Sequence, residues 1–311
     1  MIDLSVIIVT WNSRKDMEAC LSSLPHGVQR HTFEVLLVDN ASADDTVALS
    51  RKVMPSVQIL KNARNAGFAA ANNQALALAA GRYLCLLNPD TVLGEHALDT
   101  LVEFLDAHPV VWACGPGMLN RDGTPQRTGV RFPSLWNLFV ETLYLDRVFP
   151  STRLFGRHRE FYEDPLRAHA VDYVQGSCLM LRREVLDSIG KLDEGFFMYF
   201  EETDWCYRIG KAGGKVWIVP SAGVIHFGGE TAGHYDERRL VFYYRSLLRF
   251  FDKHHTVSAR IAVRFVVFAR SLIRIVSWCI IGMFKPGLRG AAWSSCRGYA
   301  RVVFGMGRCG V

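Results

Sequence analysis

An apolar run, Tyr83-Leu84-Cys85-Leu86-Leu87, stops on Asn88-Pro89-Asp90, and it constrains the fold more than any other stretch. Apolar residues in unbroken succession, bounded by a turn, read as a strand buried on both faces. Asn-Pro ends it, because proline has no N–H for the ladder and pushes its predecessor out of the helical region. Such a strand belongs inside a parallel α/β sheet, where ligands gather at the carboxyl ends of the strands. Asp90 stands at such an end. A carboxylate there is a hard oxygen ligand suited to Mg²⁺ or Mn²⁺ bridging a diphosphate; by itself it is equally a turn aspartate.

The preceding sequence supplies the sheet. Strands are expected over 4–9, 33–38, 57–60 and 83–87, alternating with helices over about 13–24, 42–53 and 69–80. Ser13 or Asn12 can cap the first helix, Ser42-Ala43-Asp44-Asp45 resembles a capping box for the second, and Gly81 closes the third. Alternating β and α elements imply a parallel sheet covered on both faces. From about 116 to 170 the pattern is irregular, rich in proline, arginine and aromatics, and reads as a long functional loop. Short strands follow at 171–174 and 178–181, flanking Gly176. A helix is expected over 201–212, strands over 216–219 and 224–226, and a helix over 237–252.

Half of the residues are hydrophobic, enough for a real core, and the eight cysteines form no C-x-x-C pair and no metal-like spacing. With a strand beginning almost at once there is no signal peptide, so a reducing cytosol is expected. The net charge of +6 hides an asymmetry: residues 238–311 hold 14 Lys/Arg against one acid, Asp252, and the other 22 bases face 29 acids, giving +13 and −7. A basic tail on an acidic body suits an anionic partner. No nucleic-acid fold signature accompanies it, which favours a membrane surface. Over 261–284 the chain is apolar but interrupted by Arg264, Arg270 and Arg274, and its longest uncharged run, 275–284, has ten residues, half of what a spanning helix needs. With Arg260 these arginines fall within an arc of about 120°, at about 100° per residue. The rest of the helix carries Val, Phe, Ile and Trp278. That pattern fits an amphipathic helix lying in the interface, because spanning would cost about 2.5–3.5 kcal/mol per arginine. Packing of the helix on protein is the competing reading. The expected division is an α/β domain over 1–255 and a basic membrane-association region over 256–311.

Acidic or metal-competent residues end several apolar elements. Asp39 closes Val35-Leu36-Leu37-Val38, Asp90 closes the strand above, Glu201-Glu202-Thr203-Asp204 follows Phe196-Phe197-Met198-Tyr199-Phe200, and His226 closes Gly223-Val224-Ile225. Each has a structural explanation: acids suit helix N-termini, and a histidine after a strand is commonly structural. Their recurrence in one α/β domain points to a shared site. The four aromatics read as core packing.

Thr10-Trp11-Asn12, Val38-Asp39-Asn40-Ala41-Ser42, Asn65-Ala66-Gly67-Phe68 with Asn73, and Asn88-Pro89-Asp90 occur in an order similar to that of family 2 glycosyltransferases of the GT-A fold. So do Gly176, Arg182-Arg183, Asp193 to Tyr199, Glu201 to Arg208, and His226. The resemblance runs from residue 1 to about 255 and is greatest to the rhamnosyltransferase-like branch. It implies a mixed, mostly parallel sheet with helices on both faces, followed here by the helical basic tail. Thr10, Asn12, Asp39, Asn40, Asn65, Gly67, Asn73 and Asp90 would bind the donor nucleotide, and Asp90 and His226 would hold Mg²⁺ or Mn²⁺. Asp39 could accept from a pyrimidine imide N–H, and Gly67 permits close backbone approach.

The acids opening the 201–212 helix would supply the general base of an inverting transfer. The family pattern places it on Glu202, where aspartate is usual, with Glu201 beside it and Asp204 as substitute. Asp204 and Arg208, four apart, are spaced for an ion pair. Gly176 on the acceptor side and Arg131 and Arg245 near the diphosphate are weaker candidates, as are Arg127 and Lys253. The expected donor is dTDP-rhamnose or a UDP-sugar, and the acceptor a lipid-linked or cell-envelope saccharide, at the cytoplasmic face of the membrane. A nucleotidyltransferase making sugar nucleotides is a rival, but it wants a glycine-rich, basic phosphate loop after the first strand, unlike Thr10-Trp11-Asn12-Ser13. A catalytically weakened saccharide-binding protein is the other rival, kept open by glutamate at 202.

Overall fold

The computed structural model describes residues 2–126, 129–152, 154–156, 164, 166–228 and 237–305. Elements run β1 (Leu4–Thr10), α1 (Arg14–Gly27), β2 (Phe33–Asp39), α2 (Thr46–Val53), β3 (Gln58–Lys61), α3 (Phe68–Leu76), β4 (Tyr83–Leu87), β5 (Thr91–Leu93), α4 (Ala97–Ala107) and β6 (Val111–Leu119). Then come β7 (Pro125–Gln126), β8 (Gly129–Val130), α5 (Leu135–Thr142), α6 (Leu145–Val148), β9 (His169–Val171), β10 (Tyr173–Val174), β11 (Cys178–Arg182), α7 (Glu184–Ile189), α8 (Glu201–Lys211) and β12 (Lys215–His226). Three helices close the described chain: α9 (Glu237–His254), α10 (Val257–Phe284) and α11 (Arg289–Gly305).

The main sheet has the order β3-β2-β1-β4-β11-β6-β12-β5, with β7 on β6 and β9 on β12. β3, β2, β1 and β4 are mutually parallel, β11 is antiparallel to both its neighbours, and β6 and β12 are parallel to each other. The carboxyl ends of β1, β2, β4, β6 and β12 therefore share one edge. Along β1, Val6 and Ile8 join the core under α1 and α4, and Ile7 and Val9 join the core against α3 and α8. Both faces are covered, which is why the apolar runs do not alternate.

Some local expectations shift. α2 begins at Thr46, not at residue 42, because the Ser42 hydroxyl accepts the Asn12 N–H at 2.9 Å and Asp44 takes the Thr46 N–H at 3.1 Å instead. α3 ends at Leu76, before Gly81. The segment after 116 is not one irregular loop: it completes β6 and carries α5 and α6. The strands expected at 216–219 and 224–226 form a single β12, with an irregularity between Val219 and Gly223.

The chain divides into two compact units. The first holds the sheet and most of its helices. The second takes the described residues of 133–150, 198–200 and 237–305, and α9, α10, α11, α5 and α6 build it. Within it, the apolar arc of α10 is outward, as expected of an interfacial helix, but its arginines turn to protein partners. Arg264 pairs with Asp252 at 2.8 Å, Arg270 with Glu141 at 3.1 Å, and Arg274 lies 4.0 Å over the Tyr144 ring. The arginine arc faces its own unit, beside the buried Val263, Val267 and Ser271. Ile261, Phe265, Phe268, Val276 and Met283 point outward, Phe265 at 71 % exposure. By length and composition α10 could cross a bilayer.

Candidate active site

Register decides which side chains meet at the carboxyl edge. Thr10 lies opposite Asp39 across β1 and β2. Cys178 opposite Leu87 sets Ser177 beside Asn88, whose N–H it accepts at 2.9 Å. Thr91 opposite His226 brings Asp90 alongside the end of β12. Thr10 Oγ1, Asp90 Oδ1, Ser177 Oγ, Glu201 Oε2 and Glu202 Oε2 are all buried here without a hydrogen-bond partner. Buried polar atoms are ordinarily satisfied; these five lie near the strand ends and leave hydrogen-bonding capacity there for polar atoms from elsewhere.

On the nucleotide side, Asn12 and Ala41 follow β1 and β2 with φ of 54° and 63°, conformations non-glycine residues rarely adopt. Asn12 accepts the Ala43 N–H at 2.7 Å through its side chain. Asn40 donates to the Gly67 carbonyl at 3.1 Å and accepts from Asn62 at 2.8 Å. Asn65 accepts the Gly67 N–H at 2.9 Å, a turn that holds Gly67 at φ +88°, where a Cβ would meet the Phe197 carbonyl at 2.6 Å. Asn73 grips Leu192 and Glu194, each at 2.9 Å. These amides shape the wall. Asp39 is buried, and its carboxylate accepts the Ser42 N–H at 3.3 Å, leaving lone pairs for a ligand.

Asp90 Oδ2 lies 3.4 Å from His226 Nε2. His226 is held from behind by Gln126, and Asp90 by its own carbonyl, which accepts the Phe227 N–H at 2.9 Å. Among the described residues no group of three or more His, Cys, Asp or Glu is clustered for a metal. Asp90 and His226 are an oxygen and a nitrogen donor of the kind that Mg²⁺ or Mn²⁺ accepts. The unpartnered Asp90 Oδ1 fits that use.

α8 presents the acid pair. Tyr199 and Phe200 enter it with φ of 67° and 68°, strain of about 1–3 kcal/mol each that sets the direction in which the helix begins. Glu201 is buried, and burial followed by the neighbouring Glu202 pushes its carboxyl well above the ordinary range. Glu202 is half-buried, and burial raises it too, against backbone N–H donors that include that of Gly176. Its side chain packs 3.7 Å from where a Cβ on Gly176 would stand. Asp204 is fully buried and pairs with Arg208 at 2.9 Å, while Arg208 also donates to the Lys191 carbonyl at 2.8 Å. It braces the helix.

The edge gathers Thr10, Asn12, Asp39, Asn40, Asn65, Gly67, Asp90, Gly176, Glu201, Glu202 and His226. Arg131 pairs with Asp172 at 3.2 Å. Arg245 is exposed on α9, in the other unit, and Arg127 lies outside the described residues. Sequence reasoning passed over Ser177, adjacent to Gly176, and Gln126. For the latter the available signal was the Asp122-Gly123 turn, which folds β7 back along β6.

Comparison with known proteins bears on family and fold. A profile described as Glycosyl transferase family 2 matches residues 5–190, more than half of the chain. An N-acetylglucosaminyl-diphospho-decaprenol L-rhamnosyltransferase of Mycobacterium tuberculosis is 28% identical over 292 residues, covering 87% of this chain and 94% of the relative. The rhamnosyltransferase WbbL of Escherichia coli is 24% identical, covering 57% and 64%. Among solved structures, GalNAc-T7 with UDP, GalNAc and Mn²⁺ has a TM-score of 0.58 at 18% identity, over 79% of this chain and 48% of that one. The mannosyltransferase PcManGT of Pyrobaculum calidifontis, with GDP-Man and Mn²⁺, has a TM-score of 0.57 at 17% identity, over 100% and 78%. The architecture is the GT-A fold.

Proposed function

This chain belongs to glycosyl transferase family 2 and is a glycosyltransferase, and from that premise we propose an inverting, cation-dependent transfer of rhamnose from dTDP-rhamnose to a hydroxyl of a lipid-linked saccharide. One observation carries the reading. Unsatisfied carboxylates of two kinds, Asp90 beside His226 and Glu202 beside Gly176, meet at the edge that Thr10 and Asp39 also line.

Each group has a role. Asp39 and Thr10 hold base and ribose. Asp90 and His226 would hold Mg²⁺ or Mn²⁺, which when bound would offset the charge growing on the departing diphosphate. Glu202 removes the acceptor hydroxyl proton as that oxygen bonds to the anomeric carbon, and the sugar–phosphate bond breaks with its electron pair leaving on the nucleoside diphosphate. A base with a raised pKa stays strong enough near neutrality to take that proton. Rhamnose and a polyprenyl-diphosphate N-acetylglucosamine acceptor are suggested by the mycobacterial relative's name.

The test is full-length protein with dTDP-rhamnose and polyprenyl-diphosphate N-acetylglucosamine, with Mg²⁺, Mn²⁺ or a chelator, beside a panel of UDP-sugars. Cation-dependent rhamnosyl transfer with inverted anomeric configuration is expected. Retained configuration, or full turnover in chelator, would contradict the mechanism. Pyrophosphate release from nucleoside triphosphate and sugar phosphate would favour the nucleotidyltransferase, and donor binding without turnover the weakened homologue.

For location, the proposed arrangement is peripheral, at the cytoplasmic face, with 1–255 catalytic and 256–311 on the membrane. What supports it is the outward apolar arc of α10 together with exposed Lys285 and Arg289. Apolar side chains enter the acyl boundary and the cations meet anionic headgroups. Phe265→Asp with Phe268→Asp should cut co-sedimentation with anionic vesicles, and wild-type binding should weaken with salt. Wild type left in the supernatant at low salt would contradict it.

A further inference from the structure

Gln126 sits behind the proposed cation ligands, and the hydrogen bonds around it have only one consistent direction. The chain begins at Asp122, on the turn between β6 and β7, whose carboxyl is held below its ordinary value by the Thr124 hydroxyl and N–H. An ionised carboxylate only accepts, so the Thr124 hydroxyl donates to it, at 2.6 Å. The Thr124 oxygen then accepts from Asn120 Nδ2 at 2.8 Å, which turns Asn120 Oδ1 toward Gln126 Nε2 at 2.7 Å. Gln126 Nε2 also donates to the main-chain carbonyl of His226 at 2.8 Å. Its amide nitrogen is doubly committed to acceptors, so Oε1 is the atom that faces His226 Nδ1, at 3.1 Å. An acceptor there requires the ring proton on Nδ1. In the neutral ring the Nε2 lone pair is then left pointing at Asp90 Oδ2, 3.4 Å away.

Two acceptors facing each other across that gap, beside the unpartnered Asp90 Oδ1, are repulsive until a positive charge enters between them. We propose that Gln126 is a positioning residue: it fixes His226 as the Nδ1-protonated tautomer and so presents Nε2 to a divalent cation shared with Asp90. The proposal rests on the Asp90–His226 cation site of the preceding section. Outer-shell partners of metal-bound histidines fix tautomer and ring orientation in this way, and their loss weakens metal binding about 10–100-fold. Gln126 and His226 stand 100 residues apart in the chain.

Two readouts on the full chain separate this inference from the reading beneath it. The first is Mn²⁺ binding, with the metal alone, followed by electron paramagnetic resonance in wild type, Asp90→Ala, Gln126→Leu and Gln126→Glu. Asp90→Ala should abolish binding at this site, Gln126→Leu should weaken it about 10–100-fold, and Gln126→Glu, which keeps an acceptor at Nδ1, should lose less than Gln126→Leu. The second is the ¹⁵N shifts of the ring of His226, assigned with His226→Ala, in metal-free protein at alkaline pH. Wild type should show the Nδ1–H tautomer, and Gln126→Leu should lose it. Unchanged Mn²⁺ binding in Asp90→Ala removes the cation site itself. Binding lost in Asp90→Ala but within twofold of wild type in Gln126→Leu overturns the role of Gln126, as does an Nε2–H tautomer in wild type, whether or not the leucine variant folds.

Discussion

Two buried acidic regions of the same unit meet opposite fates. Asp99, at the start of α4, has a side chain with no exposure and accepts the Gln29 N–H at 2.8 Å, the Arg30 N–H at 3.2 Å, His31 at 2.8 Å and His96 at 3.0 Å. Those donors outweigh burial and hold its carboxyl down at about 2. In the pair at the start of α8, Glu201 is buried and Glu202 half-buried, yet each keeps an unpartnered oxygen and burial raises both carboxyls. Burial alone does not set the charge state of an acid; the donors around it do. The first region is finished by its own chain and holds the loop before β2 to α4. The second is left incomplete, which costs stability and preserves basicity.

The largest effect that would sharpen this contrast is on turnover. Glu202→Gln keeps shape and loses basicity, so kcat should fall about 10²–10⁴-fold while donor affinity and melting temperature hold. Loss of fold in step with loss of rate would put Glu202 in the same class as Asp99. Asp99→Ala should do the converse, lowering stability by about 2–4 kcal/mol in denaturant unfolding with kcat per folded molecule unchanged.

The sign of its pH dependence follows from the depressed carboxyl. Asp99 stabilises the fold above its unfolded value of about 3.9, and that contribution, about 2 kcal/mol, is lost as pH falls toward about 2. The gap between wild type and the alanine variant should therefore narrow on acidification. A smaller loss, about 1–3 kcal/mol, is expected for Asp204→Asn, whose partner Arg208 also braces the loop before α8; a collapse of kcat with full stability would instead make Asp204 the base.

The smallest effect carries the opposite sign. A carboxyl raised in the folded state costs stability once pH climbs through its folded value, so Glu201→Gln should stabilise the protein by roughly 0.5–2 kcal/mol at neutral pH. That gain should vanish in acid, where Glu201 is protonated in both states. Destabilisation at neutral pH would show that Glu201, like Asp99, is satisfied by its surroundings.

Some of this was legible in the sequence. β1, β2 and β4 were, because strands covered on both faces lose their alternation and end abruptly on polar residues. The spacing of Asp204 and Arg208 also foretold their pairing, since it needs only one helix turn. α10 was half legible: periodicity separates an arginine arc from an apolar arc but does not say which one faces the protein. Partners at Glu141 and Asp252 decided that. The late start of α2 depended on Ser42 meeting Asn12 across 30 residues, and Gln126 reaches His226 only through β7 pairing on β6. Long-range pairing of this kind leaves no local trace.

The pH dependence of kcat under saturating donor, acceptor and cation tests the central claim most directly, because the unsatisfied pair on α8 is held to work as a base. Wild type should show an acidic limb above the ordinary glutamate value of about 4.3, with rate rising as Glu202 loses its proton, and Glu202→Gln should retain only a small rate without that limb. A limb at or below the ordinary value, or one that persists at full amplitude in Glu202→Gln, would contradict the account.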